Sequence, residues 1–150
     1  MRLVIGVGNS DRGDDAAGLA VARRIRTAAP HGVTVREVDG DQLALLEAWD
    51  DTDDVHVVDA VCSGGRPGTV HRLDAAQPLG VCFTHRGTHT FSLADVIELA
   101  RALDRLPAHL VCHGIEGTAF ELGAPLSQET EAAVRLVTAE ILRELREVAG

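Results

Sequence analysis

Apolar and polar positions alternate between two periods along this chain. Residues 2–7, RLVIGV, are apolar without alternation, as in a strand buried on both faces. The following DDAAGLAVARRIRTAA sets Ala17, Val21, Ile25 and Ala28 at helical spacing, so the chain opens as strand, turn and helix. Residues 32–39, GVTVREVD, alternate as a strand and end at Asp39-Gly40; a short amphipathic helix is predicted over 41–49. DVHVVDA, 54–60, is a third strand and TVHRLD, 69–74, a fourth. Only nine residues, Ala60 to Gly68, lie between Asp59 and the fourth strand. A parallel return needs a dozen or more, so the fourth strand should run antiparallel to the third.

Residues 75–91 mix Gly, Pro and Thr with the polar His85, Arg86 and His89, a loop long enough to suspect function. A helix over 92–103 opens on Ser92 as its N-cap, HLVCHGIE at 109–116 is the last strand, and 127–149 form a terminal helix with acids in its first turn. The pattern predicts an α/β fold: a three-layer sandwich with a mostly parallel five-stranded sheet, one antiparallel strand, and helices on both faces.

Composition narrows this picture. A chain of 150 residues is expected to form a single domain over 1–150, with a core that needs no staple. Hydrophobic residues make up 45% and aromatics 3%, so Val, Leu, Ile and Ala must fill the core. A net charge of −9 argues against nucleic-acid partners, whose phosphates require Lys and Arg. Cys62, Cys82 and Cys112 are isolated and odd in number, which fits neither a disulfide framework nor a zinc site and points to a reducing compartment. No segment approaches a membrane-spanning length, so a cytoplasmic protein with no membrane partner is expected.

The turn GVGNSDRGDDAAG, residues 6–18, resembles a phosphate cradle but carries Asp11, Asp14 and Asp15. A dinucleotide fingerprint has a third glycine where Asp11 stands, and three acids oppose a pyrophosphate. A helix-capping carboxylate accounts for Asp14. It does not account for Asp15, given that a second acid, Asp59, ends the third strand. If strands one and three are parallel, both acids emerge at the carboxyl edge of the sheet, where open α/β folds place their ligands. Spacing leaves open whether they share a site.

GVGNSDRGDDAAG is similar to the opening of the hydrogenase maturation endopeptidases. The resemblance continues through Asp39-Gly40, VVDAVCSGGRPGTV around Asp59, HTFSLADVIELA from His89, and GIE followed by GAPLS. It implies an aspartic-type endopeptidase that removes the C-terminal extension of a nickel–iron hydrogenase large-subunit precursor after nickel insertion. It also implies that Asp15, Asp59 and His89 are the metal-contacting, catalytic groups, and that Asp39 and Gly40 engage the substrate. The nickel belongs to the precursor; no tightly bound cofactor is expected, although cadmium or zinc could occupy the same ligands. Two carboxylates and an imidazole leave coordination positions open, as a structural metal site does not. One departure is DGDQ, 39–42, where relatives commonly have Asp-Gly-Gly-Thr. It leaves room for a non-catalytic binding relative. A peptidyl-tRNA hydrolase shares the opening Gly-x-Gly-Asn, but the chain has no Tyr and the wrong charge for tRNA.

The remaining candidates have plainer readings. His85 reads as a solvated loop residue, and His56, His71, His113 and Cys112 as structural residues of strands. Cys62 reads as a small buried residue, and Asp95 as a cap or a partner orienting His89. The run DDTDD, 50–54, reads as a solvated acidic turn.

Overall fold

The computed structural model describes residues 2–28, 30–39, 41–74 and 93–149. In chain order these form β1 (Arg2–Val7), a single 3-10 turn (Gly13–Ala16), α1 (Ala17–Ala28), β2 (Val33–Val38), α2 (Gln42–Ala48) and β3 (Asp54–Val61). β4 (Val70–Asp74), α3 (Leu93–Ala102), β5 (His109–Glu116) and α4 (Gln128–Ala149) follow. The sheet order is β2-β1-β3-β5-β4. β1 pairs in parallel with β2 and β3, β3 pairs in parallel with β5, and β4 pairs antiparallel with β5.

The expected five-stranded sheet with one antiparallel strand is therefore present. β4 has the orientation expected from the short link, but its neighbour is β5. The link crosses the end of β5 on the way: Gly68 donates to the Glu116 carbonyl at 2.8 Å, and Gly117 to that of Val61 at 3.0 Å. Two strand spacings are only about 10 Å, well within reach of the link.

Both faces are covered. Leu3, Ile5, Val7, Val55, Val57, Leu110 and Cys112 pack against Leu45, Leu46 and Trp49 on the α2 side and Val96, Ile97 and Ala100 of α3. Val4, Val58, Ala60 and Ile115 pack on the other face against Val21 and Ile25 of α1 and Val134, Val137 and Ile141 of α4. The unbroken apolar runs of β1 and β3 follow from this double burial. It also explains why neighbouring Cys112 and His113 are both fully buried, on opposite faces. In a one-sided sheet, alternation would have left one of them wet.

His113 and His56 stack with ring centroids 5.3 Å apart, and a hydrogen bond of 3.0 Å joins His56 Nδ1 and His113 Nε2. Burial, then the neighbouring His56 and Arg72, push the His113 pKa down to about 3, and burial likewise lowers that of His56. Both are structural, as the sequence suggested. Asp54 is no part of a solvated turn: it starts β3 and pairs with Arg2 at 3.1 Å. Among the described residues, no helix is long and apolar enough to cross a membrane.

Candidate active site

The glycines of the first motif allow the backbone to close on itself at the carboxyl end of β1. A Cβ on Gly6 would lie 2.3 Å from the Gly18 carbonyl oxygen, and one on Gly18 would lie 2.2 Å from that of Val58. These two glycines press the start of α1 onto β1 and β3. The close-packing glycine of this motif is thus Gly18, well beyond the Asp11 position where a dinucleotide fingerprint has it. Gly8, at a φ of 155°, makes room for the Asp15 carbonyl oxygen, 2.0 Å from where its Cβ would be.

Folding the turn back in this way buries two consecutive acids. Asp14 is fully buried. Its carboxylate accepts from the amides of Thr118 (2.8 Å), Ala119 (2.9 Å) and Ser127 (2.8 Å) and from the Ser127 hydroxyl (2.9 Å). Burial alone would raise its pKa; the bonds from Ala119, Thr118 and Ser127 outweigh burial and hold the carboxyl below its ordinary value of 3.8. The capping role expected of Asp14 is therefore corrected. It serves the loop after β5 and the residue preceding α4 rather than its own helix.

Asp15 is 1% exposed and Asp59 4%. The 3-10 turn that carries Asp15 follows β1 after a short turn and touches β3 and α1. β3 is the parallel neighbour of β1, with Gly6 opposite Val58 one residue before Asp59. The two acids thus emerge at the same edge of the sheet from adjacent strands, as expected if they share a site. Burial and the Asp59 charge push the Cys112 thiol up to about 12, so Cys112 offers no nucleophile at this edge. Cys62, just past β3, is half-buried rather than buried. His89, the third residue of the expected trio, lies outside the described residues, as do Gly40, His85, Arg86, Cys82 and Ser92. Among the described residues, no group of three His, Cys, Asp or Glu side chains is placed to hold a metal.

Asp39 is exposed just after β2. It borders an open groove of about 320 Å³ lined also by Gly8, Asn9, Ser10, Leu19, Glu37 and Val38. The groove and the acidic pair share the carboxyl edge. The DGDQ departure has a local explanation: Asp41 is the N-cap of α2, accepting from the Leu43 amide at 2.9 Å, and its own amide donates to Asp39 at 3.2 Å.

One buried acid at this edge escaped the sequence reading. Glu116 ends β5 at 1% exposure and accepts from the Ser63 amide at 3.2 Å and from the Ser63 hydroxyl; His71 Nε2 lies 3.0 Å away. It holds the link between β3 and β4 and stands opposite Val61, two residues past Asp59 along β3. The available signal was its place, since an acid closing a buried strand is the same cue that marked Asp59.

The fold and the edge define a class: a three-layer α/β protein with buried acids at the carboxyl edge of a mostly parallel sheet. The sequence model for hydrogenase maturation proteases matches residues 23–144, and the chain belongs to that family. Among curated relatives, the hydrogenase expression/formation protein HupD of Rhodobacter capsulatus is 28% identical over 148 residues, covering 96% of this chain and 70% of the relative. HupD of Bradyrhizobium diazoefficiens is 30% identical over 129 residues, covering 83% and 67%. Among solved structures, the hydrogenase maturating endopeptidase HybD from E. coli superposes with a TM-score of 0.78 at 28% identity, covering 99% of this chain and 94% of that one. The solution structure of an endopeptidase from Escherichia coli gives 0.83 at 27%, with the same coverage.

Proposed function

We propose that this chain is a cytoplasmic endopeptidase that removes the C-terminal extension of a nickel–iron hydrogenase large-subunit precursor once nickel is in place. In this reading Asp15, Asp59 and His89 meet the nickel carried by the precursor, and Asp39 and Gly40 engage the chain to be cut. The observation that carries it is the pair of buried carboxylates, Asp15 in the turn after β1 and Asp59 near the end of its parallel neighbour β3, on the sheet edge that also bears an open groove lined by Asp39. Carboxylate oxygens with an added imidazole suit a divalent ion whose remaining ligands come from elsewhere. The protein then needs no resident cofactor, and free cadmium or zinc binds the same groups only modestly.

Cleavage becomes conditional on metal: an empty precursor offers no ion for these side chains to recognise. The test compares nickel-loaded with metal-free precursor, using chelator-treated enzyme and a gel that resolves loss of the extension. Cutting of the loaded precursor alone is expected. Efficient cutting of the empty one would remove nickel from the recognition step. A stable complex without cleavage would favour a binding relative, and stoichiometric zinc in the purified enzyme would point to a self-contained metalloprotease.

A further inference from the structure

We propose that the outer edge of β2 receives an extended stretch of the precursor's C-terminal extension as an added sheet strand, anchored by two cavities along that edge. The inference rests on the proposed function and goes beyond it by naming where the leaving segment binds.

The backbone of β2 is poised for this. Alternate residues of a parallel strand direct their peptide groups to opposite sides. The Gly8 amide donates to the Val38 carbonyl at 3.0 Å, so Thr34, Arg36 and Val38 serve β1 and Val33, Val35 and Glu37 face outward. The Arg26 guanidinium, donating to the Val35 carbonyl at 3.4 Å, reaches that outer side. Among the described residues no strand pairs with this edge. β2 contains neither Pro nor Lys, and its register with β1 is unbroken from Val33 to Val38; its charged residues are the exposed Arg36 and the half-buried Glu37, and Glu37 is held by Arg23 and Arg26 of α1, so neither a proline nor a bulge closes the edge.

The edge also has side-chain receptors. A cavity of about 210 Å³ lined by Ile25, Arg26, Pro30, Val33 and Val35 lies near the start of β2. The groove of about 320 Å³ beside Val38 and Asp39 lies at its end. These are about four residues apart along β2, or ~13 Å, the separation of side chains i and i+4 on one face of an added strand. The first cavity, mainly apolar, suits an aliphatic side chain. The second, with the exposed Asp39 in a chain of net charge −9, suits a cationic one.

Distance assigns the occupant to the extension. An added strand lies three spacings, about 14 Å, from β3 and Asp59, roughly four extended residues. With the extension as the segment released in the proposed reaction, the docked stretch begins about four residues beyond the cut.

The test uses nickel-loaded precursor carrying single N-methyl amides through a semisynthetic extension, with the enzyme unaltered. Methylation at alternate positions should raise KM roughly three- to tenfold each, with kcat unchanged, over a window starting about four residues after the cut. In parallel, exchange of the Val33, Val35 and Glu37 amides, followed by NMR, should slow when a peptide of the extension is added. A flat methylation profile on a precursor that is still cut would overturn the docking and leave the protease reading intact. Failure to cut the unmodified precursor would overturn the protease reading itself. Slowed exchange at these amides on raising enzyme concentration alone would give the edge to a second copy of this chain and overturn the proposal.

Discussion

Asp14 and Asp15 are consecutive carboxylates with nearly identical burial, and their substitutions separate their roles. Asp14→Asn replaces one accepting oxygen by a donor amide facing N–H groups, within a set of four hydrogen bonds. It should lower stability by about 2–4 kcal/mol, read from chemical denaturation. Asp15→Asn and Asp59→Asn should keep the circular dichroism spectrum and abolish processing, because each removes a charge needed for ligation or for activating water. Processing near the wild-type rate in Asp59→Asn would make that residue structural. Asp15 and Asp59 could be picked out in the sequence because one stands in the turn after an apolar strand and the other near the end of one. The partners of Asp14 were not, since they lie more than a hundred residues away, and nothing local distinguishes an acid that caps its own helix from one that serves another.

The elements themselves were legible to within a residue or two, because strands covered on both faces read as apolar runs and helices as one-sided stripes. Their neighbours were less so: the short link fixed the direction of β4, but no local feature records that β5 later inserts between β3 and β4. The contact of α1 with the sheet shows where an element depends on one atom. Gly18→Ala would put a Cβ 2.2 Å from the Val58 carbonyl oxygen and 2.5 Å from that of Val7, both backbone atoms that cannot swing aside. A loss of about 3 kcal/mol or more is expected, measured as a lowered denaturant midpoint. A wild-type midpoint would mean that α1 shifts freely over the sheet. The same shift would displace the turn bearing Asp15, so activity should fall with stability.

For the whole molecule, the buried histidine pair sets the response to acid. The His113 pKa falls from 6.5 unfolded to about 3 folded, so the unfolded chain binds more protons between those values. Stability is full above pH 6.5 and declines as pH drops through that window, by up to about 1.4 kcal/mol per pH unit for each such histidine. His113→Gln should flatten this slope in denaturation measured between pH 7 and 4. The bonds to Asp14 carry a consequence of another kind, for the order in which the molecule assembles. They join residue 14 to Ser127, 113 positions later, across a loop whose closure is entropically slow. The turn that presents Asp15 therefore lacks its anchor until the end of β5 and the start of α4 have left the ribosome. A nascent chain should be inert, and Asp14→Asn should speed unfolding while leaving the refolding rate nearly unchanged in stopped-flow experiments. The acidic site is in this sense the last part of the protein to be finished, which keeps the protease from acting before its own fold is complete.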